Sequence, residues 1–224
     1  VMKYNLSRNQ EPEQIYKSEL AHDAIFSITG LSDTEDLQSA QYNYSATDDE
    51  IIYTFLLKNG LEIKKIYKIQ KNNYGIELEL KIRNLSGKKL DVKYSIVAGS
   101  EIQPISSASQ KFITAVISLS GKNKRLSPRQ ANAMPEEMSL GKTDWVSLQN
   151  KYFSIATKPY QETLSSTLSP TESTLSKQSK PNYNLKFNYE NIPMEQNETV
   201  VHRFLLYSGP NNMDTMSSYG VGIE

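Results

Sequence analysis

The chain has 224 residues, 25 basic and 25 acidic, for a formal net charge of zero; 38% of residues are hydrophobic and 22% charged. That length and balance support a buried core and exclude a disordered chain, and the lack of a basic excess argues against a nucleic-acid partner, whose phosphates demand neutralising side chains. The chain contains no cysteine, which removes disulfide frameworks, thiolate nucleophiles and thiolate metal sites from consideration.

Near the N-terminus, His22-Asp23 precedes a short apolar run and reads as a loop or cap. Asp48, Asp49 and Glu50 form a turn before Ile51–Leu57, the longest apolar stretch, which is far shorter than the roughly 20 residues of a membrane-spanning helix. Asn59-Gly60 is a strong reversal signal because both residue types tolerate positive φ. After it, Leu61, Ile63, Tyr67 and Ile69 alternate with Glu62, Lys64 and Lys68, and Asn72-Asn73 marks the next reversal. From Tyr74 the alternation is strict: Ile76, Leu78, Leu80 and Ile82 against Glu77, Glu79, Lys81 and Arg83. This period of two is the pattern of a half-buried strand. Asn84–Lys88 supplies turn residues, and Leu90, Val92, Tyr94 and Ile96 resume the pattern against Lys89, Asp91 and Lys93. The two runs are expected to form a long hairpin, and residues 50–97 a four-stranded antiparallel meander with one wet face.

Further strands are expected at Lys111–Leu119, Trp145–Leu148, Tyr152–Thr157, Tyr183–Tyr189 and Thr199–Tyr207. Between them, Ser120–Asp144 reads as a loop carrying a basic cluster (Lys122, Lys124, Arg125, Arg129), and the Ser/Thr-rich Gln161–Pro181 reads as an edge strand or a loop. Gly209-Pro210 ends the last strand, and Met213, Met216 and Tyr219, spaced by three, predict a short C-terminal helix. The fold class is therefore all-β: an antiparallel β-sandwich or super-sandwich forming one domain over residues 1–224.

Chemistry-bearing residues are sparse. Of the two histidines, His202 falls on the apolar face of a strand with Val200, Phe204 and Leu206 and reads as part-buried and structural, and His22 reads as a loop residue. Two isolated histidines without cysteine make a zinc site poorly supported. Glu77 and Glu79 fall on a wet face, and Glu136-Glu137 after Pro135 resembles the first turn of a helix. No carboxylate pair is singled out for glycosidic chemistry, and no nucleophile elbow, Walker A or dinucleotide-binding fingerprint is present. No cofactor is expected. The sequons at Asn5, Asn43, Asn84 and Asn197 would matter only in a glycosylating secretory pathway.

The segment Trp145–Pro159, WVSLQNKYFSIATKP, resembles a signature of the extracytoplasmic domain of the YidC membrane-protein insertase family. Trp145, Tyr152, Phe153 and Pro159 carry that resemblance; Tyr207, Gly209 and Pro210 resemble the family's strand-to-helix junction, and the strand series from Thr54 to Leu90 has a similar apolar spacing. The first 45 residues match the family poorly. The resemblance implies a galactose-mutarotase-like β-super-sandwich with a short C-terminal helix. It implies a non-catalytic accessory domain on the periplasmic side of the bacterial inner membrane, anchored by segments outside this chain. Its implied partners are Sec translocon components and nascent membrane proteins. A start at Val1 rather than Met fits a piece of a larger membrane protein. Trp145, Tyr152 and Phe153 are expected to add apolar area to the core, and the terminal helix to lead towards a membrane segment. The competing readings are a carbohydrate-binding or adhesion module, or a mutarotase-like epimerase using His22 and His202.

Overall fold

The computed structural model describes residues 3–4, 13–14, 24–69, 73–102, 104, 107–127, 130, 138–171 and 182–221. In chain order, β1 (Lys3–Tyr4) and β2 (Glu13–Gln14) pair as a small ribbon, followed by β3 (Ile28–Thr29) and β4 (Asn43–Ala46). Then come β5 (Glu50–Leu56), β6 (Leu61–Ile69), β7 (Gly75–Asn84) and β8 (Leu90–Ser100). A 3-10 turn at Ser107–Phe112 leads into β9 (Thr114–Leu119), β10 (Lys122–Leu126) and β11 (Met138–Gly141). The chain continues through β12 (Trp145–Gln149), β13 (Phe153–Pro159), β14 (Ser165–Thr171), β15 (Asn182–Met194), β16 (Thr199–Pro210) and the helix α1 (Met213–Ser218).

These strands build two facing antiparallel sheets. The larger runs β10-β9-β12-β13-β16-β7-β6-β5-β4, and the smaller runs β11-β14-β15-β8-β3. Alternation explains which side chains meet between them. Leu78, Leu80 and Ile82 from β7, and Val92, Tyr94 and Ile96 from β8, are buried in one apolar cluster with Phe187 and Phe204, while Lys81 and Glu79 pair on the other face of β7. Among the described residues, no helix is long and apolar enough to cross a membrane.

Four sequence expectations are corrected here. Strands β7 and β8 are not a hairpin: β7 pairs with β6 and β16, while β8 pairs with β15 and β3 in the opposite sheet. The meander therefore holds three of the four expected strands. Alternation fixes only the inward face of a strand, and both strands direct their apolar face to the same core from opposite sides. The basic stretch is not a loop over Lys122, Lys124 and Arg125; these lie on edge strand β10, paired with β9. Arg129, Glu136 and Glu137 lie outside the described residues. The expected strand at Lys111 begins later, at Thr114, because the 3-10 turn occupies Ser107–Phe112. Of the two readings of Gln161–Pro181, the strand is found, as β14, but between β11 and β15 rather than at the edge.

The corner between β7 and β8 is held by one side chain. Asn84 is fully buried. Its Nδ2 donates to the carbonyls of Lys88, Met194 and Glu195, at 2.7, 3.1 and 3.2 Å. Its Oδ1 accepts from the Ser86 amide and hydroxyl, at 3.0 and 2.7 Å. Its backbone bonds Asn197 and Glu198, in the second corner, where β15 passes to β16. Asn84 thus fastens two of the corners at which the chain changes sheet, β7 to β8 and β15 to β16, and the Asn84 sequon is sealed in the fold. At the neighbouring reversal, Gly60 takes φ +86° and lies so close to Ser86 that an added Cβ would sit 2.6 Å from its Cα.

Replacing Asn84 by Ala strands buried donors and acceptors at both corners. It is expected to cost about 3 kcal/mol, a fall in Tm of roughly 6–12 °C for a chain of this size. Asn84→Asp should cost at least as much, because it buries a charge and removes the donor. Scanning calorimetry on the two variants checks both statements.

Candidate functional site

The antiparallel register aligns five inward positions across the larger sheet: Tyr44, Tyr53, Lys65, Leu80 and His202. At one end of this row, the Nδ1 atom of His202 is hydrogen-bonded to the Tyr94 hydroxyl from the opposite sheet. The ring of Tyr189 stacks on the imidazole at 4.2 Å. Burial pushes the His202 pKa down from 6.5 to about 4, and burial raises those of Tyr94 and Tyr189. The imidazole is therefore neutral at pH 7, and which ring nitrogen keeps the proton sets the direction of its hydrogen bond with Tyr94. Among the described residues, the groups against the imidazole are the phenols of Tyr94 and Tyr189. His22 lies outside the described residues. Among the described residues, no three or more His, Cys, Asp or Glu are grouped to hold a metal ion.

Beside this row lies a cleft of about 390 Å3, within the range of small-molecule sites. Its floor is formed by Tyr53, Lys65 and Tyr67, and a covering segment contributes Phe26, Leu37 and Tyr42. Edge-to-face contacts join Tyr53 to Tyr42 at 6.3 Å and to Tyr67 at 5.9 Å. Phe26 adopts φ +66°, a costly conformation for a bulky residue. The surrounding contacts hold it there: its amide donates to the Val97 carbonyl at 2.8 Å, and its carbonyl accepts from Lys65 Nζ at 2.9 Å. Lys65 also lies 5.4 Å from the centre of the Tyr42 ring. Burial lowers the Lys65 pKa from 10.5 to about 8. Sequence reasoning passed over this lysine, although the signal was present: Lys65 occupies an inward step in the series Leu61, Ile63, Lys65, Tyr67.

The residues of the family resemblance separate into three environments. Phe153 is buried in the main core, and Pro159 is buried at the end of β13, opposite Phe204. Trp145 and Tyr207 occupy a second cluster with Val116, Ala156, Met216 and Val221, which brings α1 against the larger sheet away from the main core. Tyr152 is 45% exposed, contrary to the expectation that it fills the core. It sits in the turn before β13, where the Asn150 side chain accepts its amide, and Lys151 covers its ring at 4.9 Å. Adjacent residues at a turn point in different directions, so Tyr152 and Phe153 part company.

The strand-to-helix junction is tightly built. The Tyr207 hydroxyl donates to the Pro210 carbonyl at 2.6 Å. Asn212 caps α1 by accepting from the Thr215 amide at 2.9 Å. Met216 is buried, whereas Met213, expected on the same face, is exposed. The Tyr219 hydroxyl reaches back to the Asn73 side chain and to the Tyr74 amide, while its ring lies 5.0 Å from that of Tyr207. Gly209 is confined here: an added Cβ would stand 2.8 Å from both the Tyr207 hydroxyl and the Tyr74 ring.

A family model described as the YidC periplasmic domain matches residues 3–224. No curated protein matches the chain at a significant level. Solved structures with similar folds include a galactose mutarotase related enzyme from Lactobacillus acidophilus, at TM-score 0.56 and 9% identity over 77% of this chain and 72% of that one. A galactose mutarotase-like protein from Lactobacillus casei matches at TM-score 0.55 and 8% identity, covering 77% and 74%. The aldose epimerase homologue from C. elegans matches at 0.54 and 5% identity, covering 79% and 70%. At these identities the likeness establishes a galactose-mutarotase-like sandwich and nothing further.

Two outcomes follow from this geometry. Between pH 6.5 and about 4, the unfolded chain binds a proton at His202 that the folded chain refuses, so this site's contribution to stability falls as pH drops through that window. The Tm advantage of wild type over His202→Phe should shrink from pH 7 to pH 4, as thermal melts across that range will report. Gly209→Ala should overpack the junction, at about 1–3 kcal/mol, and speed amide exchange over residues 213–221, read by hydrogen-exchange mass spectrometry.

Proposed function

Because the chain belongs to the YidC periplasmic domain family, we propose that it is a non-catalytic accessory domain of a membrane-protein insertase, working by binding on the extracytoplasmic side of the inner membrane. The observation that carries this reading is the family match over residues 3–224. The chemistry of the inward face is consistent with it. Its histidine is stacked and bonded by phenols, and its lysine is bonded to a backbone carbonyl. A mutarotase-like epimerase would need a base free to take the proton of the anomeric hydroxyl and an acid free to protonate the ring oxygen.

In this role the domain presents to Sec translocon components and to nascent membrane proteins the edge strands of the larger sheet, β10 and β4, where an extended segment can add a strand.

The test uses the full-length insertase, with and without this domain, in cells depleted of their own copy. Removal of the domain is expected to reduce co-purification of Sec components and the insertion yield of Sec-dependent substrates. Unchanged Sec association together with unchanged insertion would sink the binding role. Mutarotation of galactose by the purified chain, lost in His202→Ala, would replace this reading with the epimerase one.

A further inference from the structure

Lys65 is the only charged side chain that is buried among the described residues, at 8% exposure. Removing an ammonium from water costs several kcal/mol unless its N–H groups and charge are matched. The match here is partial. An ammonium has three N–H donors; the Phe26 carbonyl takes one, and the Tyr42 ring supplies a cation–π face. Among the described residues, no carboxylate forms an ion pair with Lys65. The lysine lines the cleft, and so does Tyr42, whose hydroxyl is buried without a hydrogen-bond partner among the described residues. Asp36 is the carboxylate whose charge is felt at Tyr42, where it raises the phenol pKa together with burial. The remaining wall is mostly apolar or aromatic, with Phe26, Leu37, Ile51 and Ile69, and its polar members are Ser27 and Gln38.

We infer that this cleft is a binding site for an apolar monocarboxylate, with the carboxylate on the Lys65 ammonium and the hydrocarbon or aromatic body against the tyrosine walls. A single buried positive charge with spare donors is matched by a monoanion with two acceptor oxygens. A phosphate dianion would leave a charge unbalanced in the same site, and a neutral sugar would leave the ammonium unpaired. The volume admits a short acyl chain or a few apolar residues and excludes a folded partner. The carboxylate chemistry has two possible sources, a fatty acid or a free carboxyl group of an apolar peptide. The site stands apart from the insertase role, since neither His202 nor the α1 junction takes part in it.

The experiment measures binding to residues 1–224 by calorimetry and by the 13Cε resonance of Lys65. The probes are octanoate, octanol, and acetyl-trileucine with a free or an amidated C-terminus. Octanoate or the free-acid peptide should bind and shift the Lys65 signal, while octanol and the amide should bind at least about tenfold more weakly. Whichever acid binds more tightly identifies the source. Lys65→Met should lose this preference for acids while keeping a cooperative melt, and Lys65→Arg should retain part of it. Equal affinity for octanoate and octanol, unchanged octanoate binding in folded Lys65→Met, or no binding by any acid would each overturn the inference. None of these results bears on Sec association, so the accessory role and this site fail separately.

Discussion

The sandwich depends on closing two sheets through corners that contribute few hydrogen bonds of their own. Asn84 resolves this at two of them, β7 to β8 and β15 to β16. Its side chain donates to three carbonyls and accepts from two groups of Ser86, and its backbone bonds the second corner. Carbonyls at a corner are turned away from both ladders, and burying them unpaired would cost more than the strand pairing nearby returns. With these groups satisfied, β7 and β16 can lie side by side in the larger sheet while β8 and β15 lie side by side in the smaller. The inward faces of all four strands then meet in one core, and the stack of Tyr94, Tyr189 and His202 forms across the gap.

Much of this was legible in the sequence, at the level of faces. The alternation around Leu78 and Val92 identified the buried side of β7 and β8, Asn59-Gly60 marked a true reversal, and Gly209-Pro210 marked the passage to a helix. Partnership was not legible. A five-residue polar turn serves a hairpin and an inter-sheet corner equally well, and what separates them is Asn84 reaching residues more than a hundred positions away. Local composition also misled at β10, where a basic, glycine-flanked stretch reads as a loop and is in fact a solvent-facing edge, the place where lysine suits a strand.

The functional surfaces divide along the same line. The residues of the family resemblance could be recognised, but their environments could not. Trp145 and Tyr207 support α1, Phe153 enters the core, and Tyr152 faces solvent. Lys65 was readable as a charged residue in an inward step, but its meaning required the cleft around it. The likeness to mutarotase-like folds at 5–9% identity is a likeness of scaffold, and chemistry is not inherited with it.

The placement of α1 has a mechanical consequence. The helix continues directly from β16, which is an interior strand, paired along seven positions with β13 and nine with β7. A load applied at Val221 first meets the packing of Met216 and Tyr219, and then enters β16 along its length. The ladders on both flanks would have to slide in shear, with many hydrogen bonds breaking together, whereas an edge strand would unzip one bond at a time. A pull on this end is thus met by both flanks of β16 at once.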